Sequence, residues 1–481
     1  MTILLIFVSM ISSWVIGNKL VSSLLESTCR GTRLIRLAMA IGNGLAATSI
    51  ILFIWLLASH GNTTYYPIAE AVFAAALFGI AFLKKRHNAE KKANIEVSDL
   101  PLTEETIVGR KISKVFWALF IMAATSVTLF SFSLPHGKWD AWAIWNLRAR
   151  FIYRAGASWT AAFSEHISFS HTDYPLLLPL SVTKGWLYAG FETLASPMTI
   201  GIVFSAAVLL LLFGAVMAMR GPVAAIFAAT ALTSTPFFLE MSASQYADVP
   251  LSFFLLASLI MISLYTRAPK PGTLALAGLN AGFAAWTKNE GLLFAAVVTI
   301  FVTIMAFRRK ETQPPVATLA NYFAGLILAL LPVICFKLLL APTNDLVREF
   351  VSSHSNPLFD FERYKVIAAY MFATTLSFGN WQGFLFGAFN PLAIMTAYLF
   401  QVGIEFRSYE NWLLPGVILV MLGGYFFAYL NSPHELRWHL STSCDRLFLQ
   451  LWPATIFSFF MLTEEVKDRS STEKRQDVSS A

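Results

Sequence analysis

The sequence predicts an all-α polytopic membrane protein, and three observations predict it. Hydrophobic residues fill 56% of the 481 positions and charged residues only 13%, about half the roughly 25% charge of a soluble chain. The apolar residues run in long blocks, with a mean hydropathy of +0.62. The basic residues sit mostly between those blocks, so the net charge of +7 marks cytoplasmic connections rather than a nucleic-acid surface. A disordered chain, a coiled coil, a collagen and an ordinary soluble enzyme are excluded. Cys29, Cys335 and Cys444 are too few and too far apart for a disulfide framework or a zinc motif.

A helix needs about 20 apolar residues to cross the hydrocarbon core, with a range of roughly 17–25. About 13 segments are expected to cross: 2–17, 37–59, 67–83, 115–134, 197–219, 223–240, 249–266, 273–288, 291–307, 316–340, 383–404, 412–430 and 447–463. The first lacks the basic leader and cleavage site of a secretory signal and is expected to be retained. Lys19, Arg30, Arg33 and Arg36 follow it, which puts the N-terminus outside. The polar stretch 84–114, with Lys84, Lys85, Arg86, Lys91, Lys92, Arg110, Lys111 and Lys114, is the longest cytoplasmic connection. Alternation then places Arg220, Arg267, Lys270, Arg308, Arg309, Lys310 and the charged tail inside.

That alternation requires 176–191 and 367–380 not to cross, and both are expected as helices at the outer interface. Three sizeable outer segments result, 135–196, 341–382 and 431–446, joined by short outer turns near 241–248 and 288–290. Four units are expected: an N-terminal three-helix addition with its cytoplasmic loop (1–114), a core membrane module (115–310), a C-terminal transmembrane region with outer loops (311–463) and a disordered cytoplasmic tail (464–481).

Charged groups at membrane depth are costly and persist mostly where they line a pathway or a site. Asp140 follows the segment 115–134, and Trp142, Trp145 and Ala149 behind it share one face of an amphipathic surface helix that also carries Arg148 and Arg150. The tryptophans are most simply an aromatic belt; an acid in such a belt gains nothing from lipid. His171-Thr172-Asp173-Tyr174-Pro175 reads as a polar turn into a helix, and Glu165, His166, His171 and Asp173 form a weak metal-binding pattern. Asp248, just before Pro250, suits an N-terminal cap and equally a second outward carboxylate beside Asp140.

Trp286-Thr287-Lys288-Asn289-Glu290 interrupts the apolar run 273–307. The plainer reading is a Lys–Glu pair in a hairpin; the functional one is a lysine aimed at a phosphate arriving from the lipid. His439 and Arg446 lie in the last outer segment, and a cation at the outer start of the helix 447–463 is a candidate anion ligand.

At these residues the chain resembles the GT-C superfamily of integral-membrane glycosyltransferases, nearest the bacterial aminoarabinose transferase and protein O-mannosyltransferase type. The resemblance covers roughly 115–310. It rests on Asp140 after the first core helix, Asp173-Tyr174-Pro175 at the re-entry, Tyr246, Asp248 and Pro250, and Gly282 through Thr287-Lys288. Relatives often carry two successive acids where this chain has Asp140-Ala141.

The resemblance implies Asp140 as catalytic acid or base, Asp248 as second carboxylate or metal ligand, and Lys288 as ligand of a lipid phosphate. With them, Arg446, Arg148, Asp173, Tyr174, Glu290 and His439 are the candidate binding residues, and Asp140 with Asp248 is the candidate site for a divalent metal ion. The implied partners are a polyprenyl-phosphate-linked sugar and a lipid, glycan or protein acceptor, not nucleic acid. The implied location is a bacterial inner membrane, with the site facing the exterior and the C-terminus in the cytoplasm. The alternative is a transporter or flippase of lipid-linked glycans, which would place charges at mid-membrane in broken, repeated helices. A ligase of preassembled glycans would share these loops, and a non-enzymatic assembly subunit would use Asp140 and Lys288 only as turn residues.

Overall fold

The structure, a computed structural model, describes residues 2–93, 107–309, 314–343, 360–377, 390–404, 409–432 and 434–464. The expected tail beyond Glu464 and parts of the segments 84–114, 341–382 and 383–404 lie outside the described residues. Helices make up the fold: α1 (Thr2–Leu24), α2 (Arg30–Ala58), α3 (Tyr66–Ala93) and α4 (Ile107–Ser133), then α5 (Asn146–Arg154) and α6 (Leu177–Ala189). They are followed by α7 (Ala195–Arg220), α8 (Pro222–Thr233), α9 (Pro236–Ala243), α10 (Asp248–Arg267), α11 (Pro271–Thr287), α12 (Asn289–Arg308) and α13 (Pro315–Leu339). The last four are α14 (Phe361–Ser377), α15 (Pro391–Val402), α16 (Tyr409–Leu430) and α17 (Leu436–Leu462).

Eight described helices are long and apolar enough to cross a membrane, or nine if α8 and α9, bent by 65° at a short break, form one span. The other expected crossings also fall on helices, but on shorter or more polar ones. The apolar part of α3 is Tyr66–Ile80, α11 has 17 residues and α15 has 12. In α17 the expected span 447–463 continues a charged first half that begins at Leu436.

The layers follow from which faces are apolar. A stretch of α10 is 83% buried and one of α4 only 22%. So α10 is the central helix, wrapped by α7, α11 and α17, and α4 presents most of its surface to lipid. Helix association in lipid relies on close backbone approach at small residues. Between α11 and α13, a Cβ on Gly278 would collide with the Tyr322 carbonyl and one on Gly325 with the Ala275 carbonyl.

Two expectations for the outer segments are corrected. The stretch 176–191 is not an exposed surface helix: α6 has 13 residues, nearly all buried against α1, α2, α5 and α7. The amphipathic surface helix after Asp140 is instead a π-helical turn, Ala141–Trp145, running into α5. Trp139 and Trp142 are exposed, but Trp145, Arg148, Ala149 and Ile152 point into the core. The reason is Arg148, whose guanidinium donates to the carbonyls of Tyr174, Ser170 and His171 at 2.5, 3.1 and 2.8 Å. An arginine whose two terminal nitrogens are paired in this way can be buried where a wholly unpaired one could not.

Candidate active site

Four stretches of chain far apart in sequence meet at one end of the bundle. The loop before α5 brings Asp140, the start of α10 brings Asp248, the break between α11 and α12 brings Lys288 and Glu290, and α17 brings Arg446. The first two stretches are joined through the turn 244–247. Gln245 adopts a left-handed backbone conformation, with φ of 60°. Its side chain donates to the Pro135 carbonyl at 3.0 Å and accepts from Asn146 Nδ2 at 2.9 Å. Lys138 N–H donates to the Ser244 carbonyl at 3.2 Å. The strained Gln245, with two cross-loop bonds, and Ser244, with a third, lock Asp140 beside Asp248.

Arg446 bridges the two acids. Its Nη2 donates to Asp140 Oδ2 at 2.7 Å and its Nε to Asp248 Oδ2 at 3.0 Å. The guanidinium lies over the Tyr246 ring, 4.6 Å from the centroid, and the Tyr246 hydroxyl accepts from the Asp140 N–H at 3.1 Å. Burial, then the Asp140 carboxylate, push the Tyr246 phenol up to about 12. It therefore stays protonated and neutral under the arginine.

Asp248 does not cap its helix: its side chain makes no capping bond, and its N-cap position is Ala247. Its other oxygen, Oδ1, accepts from Lys288 at 3.0 Å and from Gln450 at 2.6 Å. Lys288 reaches Glu290 at 2.8 Å, so the expected Lys–Glu pair forms and is shared with Asp248. The Asp248 side chain has no exposed surface and that of Lys288 only 5%, whereas those of Asp140, Arg446 and Glu290 retain 15–19%. The buried pair is thus the floor of the site, and Asp140, Arg446 and Glu290 face its opening.

Other candidates fall beside this centre. Asp173 is buried and accepts from Asn289 Nδ2 at 2.7 Å, while Lys337 Nζ donates to the Asp173 carbonyl at 2.5 Å and to Asn289 Oδ1 at 2.9 Å. This clamp ties the re-entry loop to the ends of α12 and α13. Tyr174 stacks between Trp145, 5.6 Å away, and His171, 5.0 Å away. Arg148 is committed to carbonyls and holds this loop rather than facing an opening.

His439 accepts or donates through Nδ1 to Ser432 Oγ at 2.7 Å and packs on Tyr429. Burial and the nearby His434 push its imidazole down to about 4, so it is neutral near pH 7 and offers no charge to an anion. Arg446 is not at a helix start: α17 begins at Leu436, capped by Glu435. The arginine is explained by its two carboxylates, not by an unfavourable helix dipole.

Sequence reasoning missed Gln450, Tyr425 and Lys337. Gln450 is fully buried, with Oε1 accepting from Tyr425 at 3.0 Å, and it directs its amide donor at Asp248. A buried glutamine within an apolar segment was the available signal.

The donor set does not fit the candidate metal ion. Asp140 and Asp248 are each already paired with Arg446, Asp248 also with Lys288, and no group of three metal-donor side chains converges among the described residues. Glu165, His166, His171 and Asp173 likewise form no such group.

Among known proteins, residues 183–336, from α6 through Lys288 to the end of α13, match the family described as dolichyl-phosphate-mannose-protein mannosyltransferase. No curated protein and no solved structure matches the chain. The match, on an all-helical membrane fold, supports a membrane glycosyltransferase of the GT-C superfamily.

Proposed function

We propose that the protein transfers a sugar from a polyprenyl-phosphate donor to an acceptor at the outer membrane face, with inversion at the anomeric carbon. The observation that carries this is the bridging of Asp140 and Asp248 by Arg446, with Lys288 on the opposite side of Asp248. Such a site offers a part-exposed carboxylate for a proton and two cations for a phosphate.

In this mechanism Asp140 accepts the proton of the acceptor hydroxyl as its oxygen attacks the anomeric carbon. The bond from that carbon to the phosphate oxygen breaks, and polyprenyl phosphate leaves with the electron pair. Arg446 and Lys288 stabilise the charge that develops on it. Asp248 orients both cations, supported by Gln450, and Glu290 shares Lys288. Asp173 holds Asn289, the neighbour of Lys288, and Tyr174 packs beside it on Trp145 and His171. No step requires the metal ion.

The experiment is sugar transfer by purified protein in lipid, with polyprenyl-phosphate donors and with Asp140→Asn alongside. Release of polyprenyl phosphate by the wild type, abolished in a folded variant, is the expected outcome. Transfer retained by Asp140→Asn removes that residue from the role. Passage of labelled lipid-linked sugar across the bilayer without transfer favours a flippase.

A further inference from the structure

The family match begins at residue 183, and Lys184 within it is fully buried. The groups that meet its ammonium come from three helices outside the match. Nζ donates to Glu70 Oε1 of α3 at 2.9 Å, to the Ser9 carbonyl of α1 at 3.1 Å and to Thr48 Oγ1 of α2 at 3.2 Å. It also bonds Ser13 of α1. Ser12 supports the same Glu70 oxygen at 2.6 Å. Both side chains of this ion pair are wholly without exposed surface.

A second tie runs from α2 to the core. Trp286 Nε1 donates to Ser49 Oγ at 2.9 Å, and the Trp286 ring lies 5.3 Å from that of Phe53. Neither tie touches the site, but each ends on a segment that leads into it. Trp286 stands two residues before Lys288. Lys184 sits on α6, whose lead-in is Asp173-Tyr174-Pro175-Leu176.

We propose that the amino-terminal helices α1–α3 are a positioning element of the active site. Glu70–Lys184 seats α6 and with it Asp173 and Tyr174, and Ser49–Trp286 sets the break that carries Lys288. A buried ammonium stripped of its carboxylate is strongly disfavoured, so α6 takes its place only when α3 covers it. Sites are held in productive geometry by neighbours locked in this way. The choice of loops rests on the glycosyltransferase reading, so the test includes a measurement that needs no donor.

Glu70→Gln leaves Lys184 unpaired and should yield little folded protein. Glu70→Gln with Lys184→Met removes both charges and should restore folding; Ser49→Ala removes only the second tie. In the paired variant, amide hydrogen exchange should rise about tenfold in 171–176, and in Ser49→Ala by a similar factor in 286–290, with the rest of the bundle unchanged. Turnover with a donor used by the wild type should fall in kcat at unchanged donor KM. Folded variants with wild-type exchange in both segments overturn the proposal, as does a Glu70→Gln protein as stable as the wild type. If no donor is turned over at all, the glycosyltransferase reading fails, and the exchange measurement still decides whether α1–α3 hold these loops.

Discussion

At the scale of single residues, the site depends on one arginine more than on either acid it joins. Arg446 uses two different nitrogens on two carboxylates and its flat face on Tyr246. A lysine is a point charge and cannot reproduce that fork. Arg446→Lys should therefore keep the charge count yet lower kcat/KM for transfer by roughly 100-fold or more, the scale of losing a developing-charge donor. Circular dichroism and thermal unfolding should show the variant folded; a loss under tenfold would reduce Arg446 to a simple counter-charge. Asp140, Asp248, Lys288, Glu290 and Arg446 were all legible in the sequence, because a charge beside an apolar block is conspicuous. Their pairing was not: Arg446 lies 306 positions from Asp140 and 198 from Asp248. Lys184 and Glu70 escaped notice for a related reason, since Lys184 reads alone as a surface charge on an interfacial helix and Glu70 as one acid near the start of the crossing 67–83, and only the fold buries them together.

At the scale of elements, apolar length located the helices well and their surroundings poorly. The expected crossings all fall on helices, wherever they are described, because a run of apolar residues without breakers leaves the backbone no other way to satisfy itself in lipid. What hydropathy does not reveal is which neighbours cover an element. Segment 176–191 looked interfacial and is buried by α1 and α2. The stretch after Asp140 looked like a belt, and Arg148 turns half of it inward. Small residues mark these hidden neighbours. Gly325→Val should force α13 away from α11, because a Cβ there meets the Ala275 carbonyl, whereas Gly423 of α16 has open space around its Cβ direction. Overpacking of this kind costs about 1–3 kcal/mol, so Gly325→Val should unfold at clearly lower temperature in detergent and Gly423→Val should not. Equal unfolding temperatures would mean that the α11–α13 seam is not tightly packed.

At the scale of the whole molecule, the two ends of the bundle carry different chemistry. Asp248 and Arg267 bound α10, a helix of 20 residues, which at 1.5 Å per residue is about 30 Å, the thickness of a hydrocarbon core. Asp140, Lys288 and Arg446 gather at the Asp248 end. At the other end Arg267 donates to the Met219 carbonyl, Arg220 to Phe460 and Arg309 to Thr266, each near a helix C-terminus. Cations there complement the helix dipoles, and the positive-inside rule leads us to propose that this end faces the cytoplasm. On that proposal the site end is the outer one, and Ser158 of the loop between α5 and α6 is exposed. This fixes a prediction for sidedness. With Cys29, Cys335 and Cys444, none of them in a disulfide, replaced by serine, a cysteine at Ser158 should react with an impermeant maleimide added outside intact cells. A cysteine at Pro269, exposed beside Arg267, should react only after the membrane is opened. The reverse pattern would turn the site end over, because α10 carries Asp248 at one end and Arg267 at the other and Asp248 is paired with Arg446. The phosphate-binding end would then face the cytoplasm, and an acceptor on the outer surface would be ruled out.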